Sequence, residues 1–128
     1  MIPPGFSLTI LRVLGAGLAL SLMIGEAIRS WGVGRPIMFV LDDFFMGGLL
    51  LLGAWLMARP TPLRSHILVA GWVSCAGMLY GSFFGKVFDP AGANSGNFDL
   101  GLLTALIGLA FVTALIGLVW SLKEVTRT

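Results

Sequence analysis

The side chains able to do chemistry are few, and most gather around one short stretch, VLDDFF at 40–45. Asp42 and Asp43 stand there inside an otherwise apolar run from 40 to 57. A carboxylate in hydrocarbon is costly, so such residues are held by ion pairs, by water, or by a function that needs them. Glu26 and Arg29 close the preceding apolar segment and are three residues apart, a spacing that lets them pair along a helix. Arg35 follows in the connection, and Lys86 ends the next apolar segment. The predicted polar cluster is therefore Glu26, Arg29, Arg35, Asp42, Asp43 and Lys86, three acids against three bases. Three kinds of chemistry suit it: structural ion pairing that fixes helix depth, binding of a proton or cation, or docking of a partner protein.

Elsewhere the inventory is thin. Asp89, Asn94, Asn97 and Asp99 could offer oxygens to calcium, but their spacing is not that of an EF-hand. Turn formation, with Asp99 capping the next helix, is the expectation. His66 stands beside Arg64 with no acid near in sequence, which suits an interfacial residue better than a base. The lone Cys75 can form no internal disulfide, and the few soft ligands predict neither metal nor haem. There is no phosphate-binding glycine loop, no HExxH, no CxxC and no nucleophile–base pair, so no enzymatic activity is expected.

The elements that carry these residues follow from composition. Only 11% of the 128 residues are charged, and the mean hydropathy is +0.97. Soluble domains carry about 25% charged residues, so lipid is the expected solvent. A net charge of +2 without a basic run gives no reason to expect nucleic acid. About 20 apolar residues cross the bilayer core. Four segments qualify, at about 8–28, 37–57, 66–84 and 100–122. The prediction is one all-α domain, an integral membrane four-helix bundle running antiparallel up-down-up-down. Arg12 interrupts the first segment, which therefore reads as a span rather than a cleaved signal peptide. Pro36 suits a first helical turn, and Pro60 and Pro62 are expected to keep the 58–65 connection extended. The second helix cannot start after the aspartates: residues 44–57 would rise only about 21 Å against a core of about 30 Å. Asp42 and Asp43 then lie about 8 Å inside its outer end.

Five basic residues (Arg12, Arg59, Arg64, Lys123, Arg127) fall on the side of the termini and three (Arg29, Arg35, Lys86) on the other, which predicts cytoplasmic termini. Trp31, Trp55 and Trp120 stand near helix ends, as interfacial residues do. Gly77, Gly81 and Gly85 recur every four residues and form a smooth ridge for helix packing, with Gly47, Gly48 and Gly53 as the expected internal counterpart. The fourth segment carries no charge from 100 to 122, and its Thr104 and Thr113 are expected to bond back to the preceding turn.

The layout, and the block IGEAIRSWGVGRPIMFVLDDFFMGGLLLLGAWL at 24–56 in particular, resembles uncharacterised small four-helix bacterial inner-membrane proteins. The likeness extends to DoxX-like proteins in layout only. It implies a multi-pass inner-membrane protein and no particular activity. Small multidrug transporters also have four helices, but their glutamate is mid-span whereas Glu26 is at a helix end. The polar pore pattern of fluoride channels is missing. The leading expectation is an accessory subunit or scaffold that packs against other membrane subunits or against its own copies. The alternative is a small oligomeric transporter or channel using the outer carboxylates for proton or cation coupling. No cofactor is predicted, although a bound lipid, quinone or pigment would need few polar residues to hold it.

Overall fold

The computed structural model describes residues 4–34, 36–93 and 95–127. They form four α-helices and one short 3-10 turn: α1 (Pro4–Ser30), α2 (Ile37–Leu56), α3 (Pro62–Phe88), the turn Pro90–Gly92, and α4 (Leu100–Arg127). Among the described residues there is no strand. Stretches at Phe6–Ser30, Pro62–Phe88 and Leu100–Glu124 are long and apolar enough to cross a membrane. Large apolar side chains such as Val13, Ile24, Leu109 and Val119 lie on the outside, a surface suited to lipid.

The helix ends differ from the expected ones for local reasons. α3 starts four residues early, and Pro62 is its first residue rather than part of an extended connection. The Thr61 hydroxyl accepts from Arg64 N at 3.2 Å, and a proline in the first turn gives up no needed donor. α1 ends into a turn in which Gly32 and Gly34 take φ of +69° and +74°, a region that favours glycine. Asp99 Oδ2 accepts from Leu102 N at 3.0 Å and opens α4. Thr104 and Thr113 donate back to Leu100 O and Leu109 O at 2.7 and 2.9 Å.

The last turn of α2 has no basic residue of its own, and its carbonyls are satisfied from other helices. Arg12 Nε of α1 donates to Ala54 O at 2.7 Å, and Arg64 Nη1 of α3 donates to Leu56 O at 3.1 Å. Both cations also oppose the negative end of the helix dipole.

α2 packs between α1 and α3, α3 packs on α4, and α4 returns to α1 with the sparsest of these contacts. Glycines permit the closest approaches. A Cβ at Gly53 would lie 2.6 Å from Leu68 Cα, and one at Gly71 would lie 2.6 Å from Leu50 Cα. Here the α2 and α3 backbones nearly touch, as small residues allow in lipid. Trp72 is fully buried. Its ring lies against Gly117 of α4, and a Cβ at Gly15 of α1 would come within 3.3 Å of it.

The internal role expected for the glycine ridge needs correction. Gly77, Gly81 and Gly85 are exposed, and a Cβ at any of them would meet nothing within 4 Å. The buried face of α3 carries Leu68, Cys75 and Leu79. Gly77 and Gly81 each lie two residues beyond a member of that face, about 200° around the helix. Gly48 is likewise open, whereas a Cβ at Gly47 would sit 2.9 Å from Met23 Cγ of α1. The tight α2–α3 crossing rests on Gly53 and Gly71.

Gly71→Leu should therefore lower stability by about 2–3 kcal/mol or prevent folding, by overpacking. Gly48→Leu should leave the melting midpoint in detergent unchanged. Thermal unfolding of the two variants side by side checks both outcomes.

Candidate functional site

The sparse α1–α4 seam leaves a cleft of about 550 Å3. Its walls are apolar, from Val13, Leu14 and Leu18 of α1 and Leu106, Leu109 and Ala110 of α4. One end is polar, formed by Glu26, Arg29, Asp43 and Ser82. The same four residues border a smaller space of about 190 Å3, closed on its far side by Asp42, Met46, Met78 and Lys86. Five of the six residues in the predicted cluster thus surround one pair of adjoining spaces. Arg35 lies outside the described residues.

Each member is placed by its helix. Glu26 and Arg29 are on the last two turns of α1, buried to 2% and 9% exposure. They form an i,i+3 ion pair with Arg29 Nη1 3.5 Å from Glu26 Oε2. Ser30 Oγ donates to Glu26 Oε1 at 2.7 Å. Asp43, on the second turn of α2, interacts with Glu26 and has Arg29 and Asp42 as its other charged neighbours. Asp42 points more to the outside and is exposed, as the 100° step between adjacent helical residues requires. Lys86 of α3 is buried and donates to Ser82 Oγ at 2.9 Å and to Ser82 O at 3.4 Å.

The connection before α4 clasps this end of α1. Asn97 Nδ2 donates to both Ile28 O and Trp31 O at 2.8 Å, and Asn97 N donates to Arg29 O at 3.0 Å. The approach requires Gly96, because any Cβ there would collide with the Arg29 carbonyl. Three of the residues weighed as calcium donors thus have structural bonds. Asp89 accepts from Gly92 N at 3.3 Å, Asn97 holds α1, and Asp99 caps α4. Asn94 lies outside the described residues. Among the described residues no group of three or more His, Cys, Asp or Glu side chains is arranged to hold a metal ion.

Sequence reasoning missed a second polar contact, at the opposite ends of α1 and α4. Ser7 Oγ donates to Glu124 Oε1 at 2.6 Å and accepts from Trp120 Nε1 at 2.6 Å. The spacing of Trp120 and Glu124, one helical turn apart, was the available signal. Nothing in the sequence pointed to Ser7, more than a hundred residues away.

An apolar cleft ending in buried charge can hold the apolar body of an amphiphile and bind its head group, or it can pass a proton or cation. No protein-family model matches the chain, and neither a curated protein nor a solved structure matches it significantly.

Asn97→Ala should free two carbonyls at the end of α1, those of Ile28 and Trp31, keep the backbone bond to Arg29 O, and cost about 1–2 kcal/mol. Amide hydrogen exchange should accelerate in the last turn of α1 while the centre of α3 keeps its protection.

Proposed function

We propose that this chain is a non-catalytic, multi-pass protein of the bacterial inner membrane, an accessory subunit or scaffold that packs against other membrane helices. α2 is the fourth span: its 20 residues rise about 30 Å, enough for the hydrocarbon core. The short connections make the helices an antiparallel bundle, and the excess of basic residues on the side of the termini puts both in the cytoplasm. The carrying observation is the outward face of α3. Gly77, Gly81 and Gly85 line up on it, and a Cβ at any of them would meet no other part of the fold within 4 Å. In lipid such a strip lets a second helix approach closely. The partner is another membrane subunit or a second copy of this chain.

A second reading, a small oligomeric transporter coupled to protons or cations, draws on one observation: Glu26 and Asp43 stand together at the end of the cleft between α1 and α4. In that case Asp43→Asn should abolish coupled flux in proteoliposomes and leave the fold intact.

Native mass after extraction in mild detergent tests the subunit reading. A stable particle larger than one 13.6 kDa chain is expected, and Gly81→Leu should release a folded monomer from it. A wild-type monomer, or a particle indifferent to Gly81→Leu, contradicts the reading.

A further inference from the structure

We propose that the arginines around the C-terminal end of α2 form a binding site for the head group of an anionic phospholipid. The proposal rests on α2 being a membrane span and not on the α3 glycines, so it stands or falls apart from the subunit reading.

The level of the site follows from the length of α2. Its 20 residues rise about 30 Å, the thickness of the hydrocarbon core. The last turn therefore lies at the boundary where lipid phosphates begin. Arg12, in the third turn of α1, is held at that level by the 2.7 Å bond from its Nε to Ala54 O. Arg64, in the first turn of α3, reaches the same turn of α2 from the other flank. Its Nη1 lies 3.1 Å from Leu56 O and 3.2 Å from Arg59 O. Ala54 O and Leu56 O are two residues apart, about 3 Å along the axis, so both guanidinium groups converge on one turn. Arg59 is exposed in the connection just beyond it.

The charge at this end is one-sided. All six acids of the chain are among the described residues, and five stand at the opposite end of the bundle. Glu26, Asp42 and Asp43 border the smaller polar space, and Asp89 and Asp99 cap the turns before α4. Glu124 is at the nearer end, but it is buried and bonded to Ser7. Among the described residues no acid pairs with Arg12, Arg59 or Arg64.

The arginines also keep donors for a ligand. A guanidinium carries five N–H groups. Arg12 engages Nε alone, and Arg64 engages Nη1 alone. The remaining N–H pairs suit phosphate oxygens, which guanidinium forks bind two at a time.

The surroundings favour a lipid over a free anion. Leu52 and Trp55 of α2 are exposed, at 43% and 72%, and they lead from the arginines into the hydrocarbon. Acyl chains can lie along them, with the indole at the interface. The excess of positive charge favours an anionic head group over a zwitterionic one, whose ammonium would meet three arginines and no acid.

The test uses the full chain in a neutral detergent, where there is no charged membrane surface, and counts bound lipid by native mass spectrometry. Phosphatidylglycerol and phosphatidylcholine with the same acyl chains are offered together at equal concentration. One phosphatidylglycerol per chain is expected, preferred by at least about tenfold and not displaced by excess inorganic phosphate. Arg59→Gln removes no side-chain bond of the fold and should lower the preference about fivefold at an unchanged melting midpoint. Arg12→Gln retains a donor for Ala54 O, and the pair of substitutions together should abolish the preference. Lys123→Gln, which removes a cation of α4 at the same end of the bundle, should leave it unchanged. Equal binding of the two lipids overturns the proposal, as does a preference that survives the double variant. Displacement by inorganic phosphate would make this an ion site and not a lipid site. An equal loss in Lys123→Gln and Arg59→Gln would show diffuse attraction without a site, and it also overturns the proposal.

Discussion

The arrangement depends most on how α1 keeps a carboxylate and a guanidinium out of hydrocarbon. Glu26 and Arg29 are both buried and face each other across one helical turn. A charge deprived of water is tolerated only with a counter-charge and hydrogen bonds. Ser30 supplies one of these to Glu26 from the next turn. The loop before α4 fixes the backbone of the same turn through Asn97. The pair thus interacts with Asp43 at the start of α2 and borders the same space as Ser82 and Lys86 near the end of α3, while its backbone is held by the approach to α4.

Away from that end, packing follows the rule for helices in lipid, where apolar burial between helices gains little and close contact gains more. Gly53 and Gly71 bring α2 and α3 nearly to backbone contact, and Gly15 and Gly117 leave room for the Trp72 indole. Together these contacts tie α1 to α2, α2 to α3, and α3 to α4. Among the described residues the α1–α4 seam has no comparable glycine pair, and it is there that the cleft opens. The glycines on its α1 wall widen it instead of closing it.

Much of this was legible in the sequence, for physical reasons that are local. Long apolar runs between turn formers located four helices, and the i,i+3 spacing of Glu26 and Arg29 announced their pairing. Asp99, Thr104 and Thr113 act within a turn of themselves, so their bonds could be read from neighbours in the chain. What could not be read depends on helix rotation and on distant partners. The ridge of Gly77, Gly81 and Gly85 was visible as a pattern, but nothing in the pattern says which way α3 turns it. Arg12 was counted as a topology signal, while its bond to Ala54 O depends on how α1 meets α2. Asn97 and Ser7 find partners more than sixty residues away, and the cleft is a gap between the first and last helices that no segment displays alone.

The most direct measurement is a double-mutant cycle on Glu26→Gln and Arg29→Gln, read as unfolding free energy in detergent. If the buried pair organises this end of the molecule, each single variant leaves a charge without its partner. The double variant is then less destabilised than the sum of the two, by a coupling of at least about 1 kcal/mol. Additive effects, within about 0.5 kcal/mol, would contradict the account.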